Sequence, residues 1–105
     1  VDCNGQQIDG ATDEVMSLGD LEAKWKAFGW RVLICNGHDF EDLGRVIAAA
    51  DAARGSGVPT VVLMRTDMGR GVDFMEGTHH WHGIAPNDAQ LAQALAQLPE
   101  TLGDY

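Results

Sequence analysis

Two short apolar runs, Trp30 to Cys35 and Thr60 to Met64, most narrow what this chain can fold into. Neither alternates polar with apolar residues, as a strand with one wet face would. Near-continuous runs belong to strands covered on both faces, which means parallel pairing beneath helices. Between them, Phe40, Leu43, Val46, Ile47 and Ala50 recur at helical spacing behind Asp39, an N-cap residue that follows the turn Asn36-Gly37-His38. The return through Gly55-Ser56-Gly57 to Pro59 is a short connection and not a domain linker. Strand, helix and strand in this order form a parallel crossover unit.

The flanks extend the pattern. Asp20 is placed to cap a helix whose Leu21, Trp25 and Phe28 share one face, with Gly29 just past its end. Asn87 and Gln90 make a capping box for a helix that should turn Leu91, Ala94, Leu95 and Leu98 inward before Pro99. The expected architecture is therefore α/β, helix–strand–helix–strand–helix, with a further strand end near Val1. So few strands make a very small sheet. Residues 1–105 are expected to form a single partial domain, part of a larger parallel sheet, whose open edges favour association.

Composition removes several classes of partner. With 105 residues and a net charge of −9, the chain lacks the clustered Lys and Arg that track phosphate backbones or anionic lipid, so neither nucleic acid nor membrane is expected. No apolar stretch is long enough for a span, and no basic-then-apolar leader is present. Cys3 and Cys35 form no CxxC pair and read as small buried hydrophobes in a reducing compartment, the cytoplasm. The chain opens on Val1 without Met, and truncation is the expectation.

Chemistry concentrates in two places. The long stretch from Thr66 to Pro86 follows a strand end, where open α/β sheets bind ligands, and it carries Gly69, Gly71, Gly77, Gly83 and three of the four histidines. His79, His80 and His82 could be plain loop residues or a zinc set, or one of them could donate to a phosphate or substrate oxygen. Gly69-Arg70-Gly71 resembles a piece of a phosphate loop but lacks Walker or dinucleotide spacing. The second place is Asp2 to Gly10. There, Asn4 before a freely turning backbone can offer one amide oxygen and one main-chain carbonyl to a hard cation, or can simply make a turn. The acidic spacing excludes an EF-hand, and no Gly-x-Ser-x-Gly is present for a hydrolase. His38-Asp39 reads as a turn and helix cap.

These pieces occur together in one family. Asp2 to Gly10, Ala27-Phe28-Gly29-Trp30, Gly37-His38-Asp39, Pro59-Thr60, Gly69-Arg70-Gly71, Phe74-Met75-Glu76-Gly77 and Trp81-His82-Gly83 resemble, in order, the diphosphate-binding domain of transketolases. The likeness is to the downstream part of that domain and is nearest to bacterial split transketolases. It implies a thiamine-diphosphate-binding fold, with thiamine diphosphate and Mg²⁺ (or Ca²⁺) as cofactors. Asn4 matches the asparagine that closes the family's Gly-Asp-Gly…Asn motif and binds the metal by its side chain; Gln6 matches the position that binds it by a backbone carbonyl. Ile8, Met68 and Gly69 fall at cofactor contacts. His82 matches the catalytic histidine beside the diphosphate and the substrate path.

The resemblance further implies sugar phosphate substrates, a two-carbon ketol transfer and, for a partner, a pyrimidine-binding subunit, in an oligomer when complete. It implies inactivity without the Gly-Asp-Gly segment and that partner. Two alternatives stay open: a relative of the deoxyxylulose-phosphate-synthase type, and a non-catalytic truncated module that no longer binds cofactor.

Overall fold

A computed structural model describes residues 1–99. In chain order the elements are β1 (Asp2–Cys3), β2 (Gln6–Gln7), β3 (Gly10–Ala11), α1 (Thr12–Val15), α2 (Leu21–Ala27), β4 (Arg31–Asn36), α3 (Phe40–Ala52), β5 (Thr60–Arg65) and α4 (Asp88–Gln97). A 3-10 turn at His79–Trp81 precedes α4. Strands β1, β5 and β4 form one parallel sheet in that order, while β2 and β3 make a separate antiparallel hairpin.

Both apolar runs became neighbouring parallel strands, as their patterning requires. The expected strand end at Val1 is β1, which pairs with β5. The caps also fall where the residues put them. Asp20 accepts from the Ala23 amide, Asp39 from the Glu41 and Asp42 amides, and Asn87 and Gln90 cap each other reciprocally. Gly29 takes φ +82° just beyond α2, the left-handed conformation that ends a helix without steric cost.

Register decides where function can sit. Cys3 and Asn36 flank Arg65 on the last rung of the sheet, so Asn4, Gly37 and Thr66 all step off the same edge. Gly37 is favoured at this close approach. Its N–H donates to the Arg65 carbonyl at 2.7 Å, and a Cβ there would collide with the Thr66 methyl.

The core is small. Cys35, Val46, Val61, Leu63, Val72 and Ala94 are buried. The expected inward faces of two helices are only partly covered. On α3, Val46 is fully buried, whereas Phe40 and Ile47 are exposed; on α4, Ala94 is buried while Leu91 and Leu95 are exposed. For α3 the reason is width: three strands span only about one helix diameter, so one sheet face seats little more than a single helical stripe. Helix α4 is tied to the loop after β5 instead of to the sheet, through paired hydrogen bonds of 2.8 Å between Asp73 and Gln97. Among the described residues, no helix is long and apolar enough to cross a membrane.

One side chain locks the start of α3 to β4. Asp42 accepts from the Asn36 amide at 2.8 Å and from Arg45 at 2.8 Å, and Arg45 also donates to the Ile34 carbonyl. The Asn36 N–H, and after it the Arg45 guanidinium, hold the Asp42 carboxyl below its ordinary value of 3.8. A carboxylate with a lowered native pKa binds its proton more readily in the unfolded chain, so its contribution is complete above the ordinary value and disappears as pH falls through the native one. The expected result is that Asp42→Asn lowers the urea midpoint at pH 7. Near pH 3 and below, the gap to the parent protein should shrink progressively.

Candidate functional site

The turn at Asn4 is built by short-range bonds. Asn4 Oδ1 accepts from the Gln6 amide at 2.9 Å, and Gly5 takes φ +72° to bring the chain round. The Gly5 carbonyl accepts from the Thr12 amide at 2.9 Å, closing a loop that contains the β2–β3 hairpin. Ile8 stands at the hairpin tip and is 72% exposed, the opposite of its place in an ordinary core.

The second wall comes from the loop after β5, which is ordered by its own bonds. Its first corner is pinned by His38, whose Nε2 accepts from the Asp67 amide at 2.7 Å, while Arg70 donates to the Asp67 carboxylate at 2.7 Å. Met68 follows directly. Its carbonyl accepts from the Gly77 amide at 2.9 Å, so residues 68–77 close into a ring with buried Val72 inside the protein. Farther on, Trp81 Nε1 donates to the Phe74 carbonyl at 2.9 Å, and the two rings pack edge to face at 5.3 Å. The Thr78 hydroxyl caps the 3-10 turn by accepting from the His80 amide. This anchor delivers His82, whose own amide donates to the His79 carbonyl at 3.0 Å.

The two walls meet. Asn4, Gln6, Gln7, Ile8, Asp9, Val15, Met68 and His82 line one cleft of about 480 Å³. Five of the six residues expected from sequence to serve cofactor or metal are thus brought together. Gly69 does not line the cleft. It has φ +69° and packs against the Met75 backbone, so it holds the ring behind Met68.

The donor set decides what this cleft suits. Asn4 Oδ1 keeps one lone pair beyond its bond to Gln6, and amide and carbonyl oxygens are hard ligands that favour Mg²⁺ or Ca²⁺ over zinc. Among the described residues, no group of three or more His, Cys, Asp or Glu lies close enough to hold an ion, and His79 and His80 sit against each other with ring centroids 4.2 Å apart. A cation here would need further oxygens, and a diphosphate supplies them. Ile8 and Met68 add apolar surface beside the polar atoms. A separate hollow of about 570 Å³ contains Arg65 and Arg70, but Asp42 and Asp67 line it too and Arg70 is already paired.

Sequence reasoning left Asp2, Thr66 and His38 without a role at this edge. Thr66 donates its hydroxyl to Asp2 Oδ1, and Asn4 Nδ2 donates to Asp2 Oδ2 at 3.1 Å. The signal was the shared strand register, which no local spacing encodes.

Taken alone, this is an open α/β unit with a cleft beyond the carboxyl ends of its strands, lined by neutral oxygen donors and a histidine. The chain belongs to the transketolase, thiamine diphosphate binding domain family, which it matches over residues 1–101. It is 37% identical over 102 residues to an apulose-4-phosphate transketolase subunit from Phocaeicola vulgatus, covering 97% of this chain and 36% of that protein. To the 6-deoxy-6-sulfo-D-fructose transketolase subunit SqwG of a Clostridium species it is 38% identical over 97 residues, covering 92% and 34%. The crystal structure of transketolase from Campylobacter jejuni superposes with a TM-score of 0.77 at 26% identity, over 91% of this chain and 15% of that one. The chain therefore spans about a third of the length of these two subunit relatives.

Proposed function

We propose that this chain carries the downstream part of the diphosphate-binding domain of a cytoplasmic split transketolase. That enzyme would use thiamine diphosphate and Mg²⁺ (or Ca²⁺) to move a two-carbon ketol unit from a ketose phosphate to an aldose. A Gly-Asp-Gly segment and a pyrimidine-binding subunit would complete the site. The observation that carries the reading is the single cleft uniting Asn4, Gln6, Ile8, Met68 and His82. Family membership and the subunit relatives support it.

In this reading Asn4 Oδ1 and the Gln6 carbonyl would hold the cation that accompanies the diphosphate. The cation matters because a chain of net charge −9 repels an anionic cofactor unless positive charge is supplied locally. Ile8 and Met68 offer the cofactor an apolar wall. His82 donates a hydrogen bond to a phosphate or substrate oxygen at the mouth of the cleft. When bound, thiamine diphosphate supplies the electron sink for carbon–carbon bond cleavage, and the protein supplies grip and orientation.

Calorimetric titration of thiamine diphosphate with Mg²⁺ tests this. Binding should be weak or absent on this chain alone and clear with the Gly-Asp-Gly segment and pyrimidine-binding subunit present. Asn4→Ala should then weaken the complete site roughly tenfold or more, since even changes one step removed from a metal ligand reach that size. Unchanged affinity in Asn4→Ala, or no binding by the complete assembly, would refute the proposal.

A further inference from the structure

We propose that Asp2 is a positioning residue that fixes which end of the Asn4 amide faces the cation; this rests on the reading of Asn4 as a metal ligand. An ionised carboxylate accepts hydrogen bonds and donates none. Asp2 Oδ2 accepts from Asn4 Nδ2 at 3.1 Å, so the amide NH₂ must turn toward Asp2. Asn4 Oδ1 is thereby directed to the Gln6 amide at 2.9 Å, with its second lone pair left for a ligand. Without Asp2 the Gln6 N–H alone would hold the amide, and any flipped population would present N–H groups to a cation, which repel it.

Asp2 is itself held. Its other oxygen, Oδ1, accepts the Thr66 hydroxyl, and Thr66 stands just beyond the last residue of β5. The parallel register that pairs Cys3 with Arg65 brings these two side chains together at the sheet edge. A strand end therefore sets Thr66, Thr66 sets Asp2, and Asp2 sets Asn4. Partners that orient metal ligands in this way are typically worth roughly 10–100-fold in metal affinity.

The test uses the complete transketolase assembly containing this chain, stripped of metal, with thiamine diphosphate in excess. Free Mn²⁺ is followed by electron paramagnetic resonance, so the readout is binding and not turnover. Asp2→Ala should weaken Mn²⁺ roughly 10–100-fold. Asp2→Asn should recover most of that loss, because its amide oxygen still accepts from Asn4 while the Thr66 hydroxyl rotates to accept from the new NH₂. In an Asn4→Ala background, Asp2→Ala should add less than about twofold, since residues acting through one contact are not additive.

Three results would overturn the proposal. One is Asp2→Ala weakening Mn²⁺ equally in both backgrounds. Another is Asp2→Asn binding as poorly as Asp2→Ala. The third is Mn²⁺ affinity unchanged in Asp2→Ala while Asn4→Ala weakens it, which removes the positioning role and leaves Asn4 as a ligand. Unchanged affinity in Asn4→Ala removes the ligand reading itself, and this proposal with it.

Discussion

In the complete assembly, Gly69→Ala should open the loop that carries Met68 and, if the proposed site is right, abolish tight cofactor binding while leaving the parallel sheet intact. At φ +69° a Cβ meets the conformational penalty of left-handed backbone, about 1–2 kcal/mol. It would also lie 2.5 Å from the Met75 carbonyl oxygen and 2.6 Å from its carbon, which are backbone atoms that no rotamer change can move aside. Forced overpacking of this kind adds about 1–3 kcal/mol, so the expected total is about 2–5 kcal/mol. The loop can escape by breaking the Gly77-to-Met68 bond, and the cleft then loses one wall. Gly55→Ala is the matched control. Gly55 has φ +77° with nothing within 4 Å, so it should show only the conformational part. Hydrogen exchange across residues 67–83, with cofactor titration alongside, separates the two. Equal effects at both glycines would mean that the Met75 contact is unimportant.

His82→Ala should lower kcat/KM for ketol transfer about 100-fold in the complete assembly, the usual cost of removing one donor aimed at developing or phosphate charge. Its fold should be untouched. His82 is exposed, and among the described residues its imidazole makes no hydrogen bond, so nothing structural depends on the ring. What depends on the turn is where the ring stands. Phe74, Trp81 and Thr78 hold the backbone there whichever side chain follows. An unchanged urea midpoint with a large kinetic loss is the expected pair of results. A kinetic change below about threefold would remove His82 from the chemistry, since even a modest donor contributes more.

The regular elements were legible because their signals are local. Asp20, Asp39 and Asn87 announced helix starts within a few residues, and the apolar runs announced parallel strands before any partner was known, although only Cys35 of β4 and Val61 and Leu63 of β5 are buried. The hairpin of β2 and β3 and the short α1 were not legible. Two-residue strands carry no periodicity, and four helical residues are too few to show a face. Spacing alone makes helix faces look wider than they are: Leu91, Leu95 and Ile47 follow the pattern of buried residues, but spacing does not tell how wide a surface lies opposite.

At the site, the residue types in Asp2 to Gly10 and Trp81 to Gly83 pointed to oxygen donors and a histidine, and the resemblance supplied their roles. The bonds that organise them are of another kind. Thr66 meets Asp2 across 64 positions of sequence, and Asp67 meets His38 across 29. Such pairs exist only once strand register is set. Gly69 shows the same limit: its residue type stands out in the sequence, but the Met75 backbone that makes glycine necessary does not.

The most direct measurement is the structure of the complete assembly crystallised with thiamine diphosphate and Mg²⁺. The ion is expected about 2.0–2.1 Å from Asn4 Oδ1 and from the Gln6 carbonyl. The diphosphate should lie between the hairpin and His82. A cation with neither oxygen in its coordination shell, or a diphosphate seated instead between Arg65 and Arg70, would contradict this assignment.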